Sequence, residues 1–201
     1  GITYMGDWSR ESLLLPFDCP PRARLLITDG SYGDRNQRLA QQIDALALAA
    51  QGGAVVTAPL HGRGPEMALQ LSARGLPVVM CPQVREEVAQ LLALNSLPAA
   101  AMLALARLLR VATPDRWRPD TVIVAADAVA DSGLAAQLSH QPDFRLIFSS
   151  HVSSGTRAFE MLQSGMARWL PWNVHPPLDD QLALIRQTAA QKVIPAFVAP
   201  Q

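Results

Sequence analysis

The stretch Ala23–Gly33, Ala-Arg-Leu-Leu-Ile-Thr-Asp-Gly-Ser-Tyr-Gly, joins an apolar run to an acid and two glycines. The apolar residues predict a buried β-strand, and the abrupt change at Asp29 predicts that this strand brings a carboxylate to the loop at its C-terminal end. On this stretch alone, an Asx-turn made by the same acid is an equally good interpretation. Asp29 is therefore a candidate site residue.

A second acid lies upstream in a segment of the same design. Tyr4-Met5-Gly6-Asp7 is again a short apolar run followed by Gly-Asp. Neighbouring parallel strands present their carboxyl ends at one edge of the sheet, where ligands of α/β proteins bind. We therefore expect Asp7 and Asp29 to lie at the same edge.

The rest of the chain alternates short apolar segments with amphipathic ones. Leu39, Ile43 and Leu46 recur at helical spacing, and Gly52-Gly53 ends that helix before the apolar run Ala54-Val55-Val56. This alternation predicts an α/β fold with a parallel sheet that helices cover on both faces. Further strands are expected at 76–80, 121–126, 144–148, 167–170 and 193–197, and helices at 66–74, 83–94, 98–110, 134–138, 156–163 and 178–188.

Charge and cysteine content limit the classes of function. Lysines and arginines balance acids at 17 each, which counts against the broad basic surface of many nucleic-acid-binding proteins but allows an arginine cluster at one cleft. No apolar stretch is long enough for a membrane span, and no signal sequence opens the chain. Cys19 and Cys81 are too few to staple a domain of this size, so we expect reduced thiols in a cytoplasmic protein.

The Gly6-Asp7 segment and Asp29-Gly-Ser-Tyr-Gly, at this separation, resemble metallo-β-lactamase-fold nucleases with a β-CASP domain, the ribonuclease J and cleavage-and-polyadenylation endonuclease group. Later segments extend the resemblance over nearly the whole chain. It implies a parallel-sheet β-CASP-like domain at 34–165, inserted in part of a metallo-β-lactamase fold at 1–33 and 166–201. The later segments are 52–66, 121–133, 149–162 and 172–182.

The resemblance also implies roles for single residues. Asp7 would bind metal, and His175 would act as the general acid for the leaving oxygen with Asp29 as its partner. A helix cap is the alternative interpretation of His175. Arg63 would bind phosphate at a glycine-flanked helix start. His61 and His151 are further substrate-binding candidates, for which ordinary loop hydrogen bonds are the alternative.

Two departures from the family pattern affect the expected metal site. The family's His-x-His-x-Asp-His motif is absent, so the chain is expected to be the C-terminal part of a larger enzyme. Two zinc ions are then expected in the full-length enzyme, and none in this chain alone. Phe197 stands where the family has a zinc-binding histidine, and a phenyl ring cannot bind a metal.

These observations lead to two predictions of function. The first is part of a metal-dependent phosphodiesterase or nuclease on RNA or DNA, in which this chain supplies the substrate cleft. The second is a non-catalytic binding or assembly module that kept the fold and lost metal ligands. A third interpretation, an unrelated nucleotide-binding domain, lacks support because the sequence contains no Gly-x-Gly-x-x-Gly motif. Exposed sheet edges would allow a homo-oligomer, and no membrane partner is expected.

Overall fold

The computed structural model describes residues 1–59 and 61–198, and they fold into two compact units. The discontinuous unit combines Gly1–Gln41 with Asn173–Gln201, and the continuous unit is Gln42–Trp172. Seven helices and two sheets made only of parallel strands form the described part of the chain, which confirms the predicted α/β class. The assignment of 1–33, 34–165 and 166–201 to the family's two domains stays a prediction.

The discontinuous unit contains a three-stranded sheet and one complete helix. Strands β1 (Ile2–Tyr4), β2 (Leu25–Asp29) and β8 (Lys192–Ala196) pair in the order β1-β2-β8. Helix α7 (Leu178–Thr188) packs on this sheet. Because all three strands are parallel, the loop after β1 and the last residue of β2 lie at the same edge.

A small apolar core holds this edge in place. Trp8, Leu26 and Leu184 are buried against one another, with Phe17 and Met5 around them. The Trp8 indole Nε1 also donates a hydrogen bond to Thr28 Oγ1, at 3.1 Å. Since Trp8 directly follows Asp7, its burial fixes the loop that carries that acid.

The continuous unit contains a five-stranded sheet with helices between its strands. The strand order is β4-β5-β3-β6-β7, and every residue of β3, β5 and β6 is buried. Such continuous apolar strands are typical of parallel sheets covered on both faces. The strands are β3 (Ala54–Ala58), β4 (Val78–Met80), β5 (Val122–Ala126), β6 (Leu146–Phe148) and β7 (Ala167–Trp169).

The helices follow the sequence pattern closely, with one early start. Helix α2 begins at Arg63, before the predicted Glu66. The first four N–H groups of a helix have no partner within the helix, so Pro65 in the first turn removes no intrahelical bond. Helix α1 (Leu39–Ala49) contains the boundary between the two units. The others are α2 (Arg63–Ala73), α3 (Pro82–Leu94), α4 (Ala99–Arg110), α5 (Gly133–Ser139) and α6 (Arg157–Gln163).

The prediction that helices cover the sheet on both faces is wrong for the three-stranded sheet. Ile2, Tyr4 and Ile194 are exposed, and the strand pairing places them on one face. Leu26, on the opposite face, is fully buried beside α7. The apolar strands of this unit therefore have one buried face and one exposed face.

Within the described residues, no helix combines the length and the hydropathy that crossing a membrane requires. The cytoplasmic localisation stays a prediction.

Candidate functional site

Asp29 is the last residue of β2, and its fully buried carboxylate has two partners. Its Oδ1 accepts the N–H of Ser31 at 2.9 Å, which is the Asx-turn expected from the sequence. Its Oδ2 lies 2.6 Å from Nδ1 of His175. The Asx-turn is thus confirmed, and the second oxygen contacts His175, while the role of Asp29 as a site residue stays a prediction.

His175 lies in the loop before α7, and this loop is held by hydrogen bonds of the two residues that precede His175. The amide of Asn173 donates to the Gln37 carbonyl at 2.6 Å, and the N–H of Val174 donates to the Tyr32 hydroxyl at 3.1 Å. The Tyr32 ring meets the imidazole edge-on, with centroids 5.0 Å apart. His175 is therefore held in one orientation, with its side chain 23% exposed.

The alternative interpretation of His175 as a helix cap is wrong. The residue at the N-cap of α7 is Pro177, whose own side chain makes no capping hydrogen bond. The first turn of the helix instead receives Asn36 Oδ1, which accepts the N–H of Asp179 at 3.0 Å.

The contact with Asp29 determines which ring nitrogen of His175 remains available. An ionised carboxylate only accepts hydrogen bonds, so Nδ1 must carry the hydrogen in this contact. The atom left for a substrate is then Nε2, which accepts when the ring is neutral and donates when it is charged. Asp29 thus sets both the orientation and the tautomer of His175.

Asp7 completes a group of three with Asp29 and His175. Its carboxylate is 72% exposed, and its Oδ1 lies 3.8 Å from His175 Nδ1. One ligand-type atom from each residue lies within 4.8 Å of the other two. In the described part of the chain, this is the group of three or more such residues that is close enough to bind a metal ion.

These three residues do not fit a complete zinc site. Two atoms bound to one tetrahedral zinc ion lie about 3.3 Å apart, whereas Oδ2 of Asp29 and Nδ1 of His175 are at hydrogen-bond distance. These two atoms therefore contact each other through a hydrogen bond and are not positioned to bind one ion together. Asp7 is the one member whose carboxylate can turn toward an ion, and a single carboxylate does not hold zinc.

Two supporting residues, Gln181 and Tyr32, had no role in the sequence analysis. The side-chain amide of Gln181 donates to the backbone carbonyl of Asp29, and Thr28 Oγ1 donates to Gln181 Oε1 at 3.2 Å. Gln181 thereby ties α7 to the end of β2. Tyr32 belongs to the Ser-Tyr-Gly motif, but nothing in the motif indicates that its hydroxyl holds the loop of His175.

An apolar cavity of about 630 Å³ lies beside Asp29, between the sheet and α7. Its polar lining comes from Thr28, Asp29 and Gln181, and its remaining walls are mostly aliphatic. A carboxylate against such walls is poorly hydrated, which strengthens its contact with the imidazole.

The other predicted site residues, Arg63, His61 and His151, belong to the continuous unit. Nη1 of Arg63 lies 3.3 Å from both the carbonyl and the hydroxyl of Ser149, and 3.1 Å from Ser150 Oγ. His61 and His151 are exposed. The structure thus brings Arg63 to the serines that precede His151, while the roles of all three stay predictions.

No family model and no curated protein matches the sequence. Among solved structures, the chain is similar to one described as a protein of unknown function from Enterococcus faecalis V583, with 15% identity and a TM-score of 0.43. The match covers 87% of this chain and 46% of that chain, so this chain spans about half the length of the matched protein. At this level the likeness carries no argument about the site.

Proposed function

We propose that this chain forms part of a metal-dependent phosphodiesterase that cleaves RNA or DNA. The observation that carries the proposal is the 2.6 Å contact between Asp29 Oδ2 and His175 Nδ1 at the carboxyl edge of the three-stranded sheet. A buried carboxylate that orients an imidazole is the arrangement that proton transfer to a leaving group requires.

The chemistry follows from the geometry of this pair. Cleavage of a phosphodiester leaves an alkoxide, which departs faster when it receives a proton in the transition state. In the proposal His175 donates that proton from Nε2, and the Asp29 carboxylate stabilises the charged ring. Tyr32 and Gln181 act as positioning residues, because they hold the ring and the acid in place.

The proposed metal site needs more ligands than the described residues supply. Asp7 is the carboxylate that this chain would add to a metal site, and the other ligands would come from outside the described residues. Zinc remains the expected ion, and the proposed proton transfer involves only His175 and Asp29.

A non-catalytic binding or assembly module is the second candidate. The observation that favours it is Phe197, an exposed aromatic residue directly after β8, where the family resemblance leads one to expect a zinc-binding histidine. The mutual contact of Asp29 and His175 would then be structural.

Metal analysis and nuclease assays on the native protein test the proposal. We expect about two zinc ions per molecule and cleavage of single-stranded RNA or DNA that a chelator abolishes. His175→Ala should lower the cleavage rate by about 10²–10⁴-fold, the usual contribution of a general acid. The matched control is His140→Ala, which removes an exposed histidine of the continuous unit and should leave the rate unchanged.

Asp7→Ala should lower both the metal content and the cleavage rate, since it removes the proposed ligand and leaves both partners of the 2.6 Å Asp29–His175 contact in place. A native protein that binds no metal and cleaves neither nucleic acid would contradict the proposal and leave the binding module.

A further inference from the structure

Arg35 closely follows the motif that carries Asp29 and Tyr32, and its backbone is anchored on both sides. Its N–H donates to the Tyr32 carbonyl at 3.0 Å, which closes a tight turn. Its carbonyl accepts the N–H of Leu178, the first residue of α7, also at 3.0 Å. The backbone of Arg35 is therefore fixed at the point where the loop of His175 enters α7.

The Arg35 side chain folds back over the Tyr32 ring. Its guanidinium carbon Cζ lies 4.6 Å from the centre of that ring. The same ring lies 5.0 Å from the imidazole of His175, centre to centre. A guanidinium group stacks well on an aromatic ring, and this contact limits the freedom of the side chain. The charge of Arg35 is thus held no farther from the His175 ring than the sum of these two distances.

The side-chain N–H groups of Arg35 have no acceptor within the part of the chain that the structure describes. No carboxylate there lies at ion-pair distance from the guanidinium, and no protein oxygen accepts a hydrogen bond from it. Arg38, three residues later, differs because it pairs with Asp180 at 2.8 Å and with Asp179 at 3.4 Å. Of these two arginines, Arg35 is the one with donors left for a ligand.

The charges at this edge of the sheet favour an arginine as the group that binds an anion. Asp7 and Asp29 both lie beside His175, and the charged form of the ring balances only one of the two carboxylates. A phosphodiester carries one negative charge, which the remaining carboxylate repels. A guanidinium offsets this repulsion, and its planar fork of N–H groups matches two phosphate oxygens at once.

We infer that Arg35 binds the non-bridging oxygens of the scissile phosphate. The reaction in this inference rests on the proposed function, whereas the location rests on the Arg35–Tyr32–His175 contacts. Two hydrogen bonds of about 2.8 Å, with the phosphate group between them, are long enough to join the guanidinium to Nε2 of His175. Arg35 stabilises the charge on these oxygens in the transition state, while His175 protonates the leaving oxygen.

Cleavage of two phosphodiesters by the native protein and by Arg35→Gln tests the inference. The first is a single-stranded oligonucleotide, and the second is bis(p-nitrophenyl) phosphate, which contains one phosphate and a leaving group that needs no proton. Arg35→Gln should lower the rate on both by about 10²-fold, as for the loss of one donor to a transition-state oxyanion. Arg35→Lys should recover only part of this rate, because an ammonium group keeps the charge but lacks the planar fork. Thermal unfolding identifies loss of fold, and if Arg35→Gln does not fold, the same comparison with Arg35→Lys decides.

The matched control is Arg24→Gln. Arg24 is exposed and directly precedes β2, so it lies at the amino edge of the same sheet, about 16 Å along the strand from Asp29. Its rates should equal those of the native protein, because salt screens charges over about 10 Å. Equal rates for Arg35→Gln and Arg24→Gln would overturn the inference. A loss confined to the oligonucleotide would also overturn it, since Arg35 would then hold Tyr32 and His175 in place or contact a neighbouring phosphate.

Binding of a labelled single-stranded oligonucleotide separates this inference from the proposed function. The measurement uses His175→Ala, which prevents cleavage, and follows fluorescence anisotropy at several salt concentrations. Adding Arg35→Gln should reduce the slope of log affinity against log salt concentration by about 0.7, the contribution of one phosphate contact on a single strand. That reduction, in a protein whose native form cleaves neither substrate, would contradict the phosphodiesterase and leave the phosphate site standing. Cleavage by the native protein together with an unchanged slope would overturn the phosphate site alone.

Discussion

The two parallel sheets differ both in their covering and in the groups at their carboxyl ends. The central strands of the five-stranded sheet are buried at every residue, whereas Tyr4 in the three-stranded sheet is 63% exposed. The small, half-covered sheet carries the buried acid–imidazole pair, and the large one carries arginine, hydroxyl and indole groups. Buried strand residues are thus concentrated in one unit, and the candidate acid–imidazole pair lies in the other.

The largest difference in stability is expected between alanine substitutions at two glycines with positive φ, one in each unit. A Cβ at Gly53 (φ 98°) would lie 2.0 Å from the Pro119 carbonyl oxygen, so Gly53→Ala should destabilise by about 3 kcal/mol or more. A Cβ at Gly33 (φ 56°) would meet no atom of the described residues within 4 Å, and Gly33→Ala should cost about 1 kcal/mol of backbone strain. Urea unfolding measures both, and equal losses would contradict the close approach at Gly53.

The difference in covering predicts a smaller but clear effect on stability. Ile123 of β5 is fully buried, so Ile123→Ala should cost about 2–5 kcal/mol through the cavity it leaves. Tyr4→Ala, on the uncovered face, should change the free energy of unfolding by less than about 0.5 kcal/mol. A loss of 2 kcal/mol or more for Tyr4→Ala, on the same order as a core deletion, would show that this face is covered in solution.

The smallest expected difference in stability is between variants that remove the arginine of two ion pairs. Arg38 contacts the largely buried carboxylate of Asp180 at 2.8 Å, a hydrogen bond that raises the pKa of Arg38, and Arg38→Gln should cost about 1 kcal/mol. Arg118 pairs with Asp120 in full exposure and lowers the pKa of that carboxyl. Arg118→Gln should leave the melting temperature unchanged and return the pKa of Asp120 toward its ordinary value.

Thermal unfolding and an NMR titration of the Asp120 carboxyl make these measurements. A stability loss for Arg118→Gln as large as that for Arg38→Gln would show that exposure does not separate the two pairs.

The sequence contains most of the fold because its local signals agree with one another. The apolar runs at β2, β3 and β5 and the glycines at 52 and 53 fix strand and helix positions within a few residues. The placement of Asp7 and Asp29 at one edge followed from the parallel arrangement of their strands. Local signals and topology point to the same answer here, as they do in sequences that fold to one structure.

The features of the fold and the candidate site that the sequence does not predict depend on contacts between residues distant in sequence. Nothing near Gln181 indicates that its amide meets the Asp29 carbonyl, and nothing near Trp169 indicates that its indole shares Ser150 with Arg63. The sequence also does not indicate that the face with Ile2 and Tyr4 is exposed. An apolar strand has the same sequence pattern whether one of its faces is covered or both. The partner of Asp29 came from the family resemblance and not from any spacing.

In the proposed reaction His175, oriented by Asp29, protonates the leaving oxygen. The most direct test compares the native protein with His175→Ala on two phosphodiesters, an oligonucleotide with an alkoxide leaving group and a p-nitrophenyl ester whose leaving group needs no proton. We expect a loss of about 10²-fold or more on the oligonucleotide and only a few-fold on the p-nitrophenyl ester. Equal losses on both substrates, or no loss on either, would contradict the role of His175 as the proton donor.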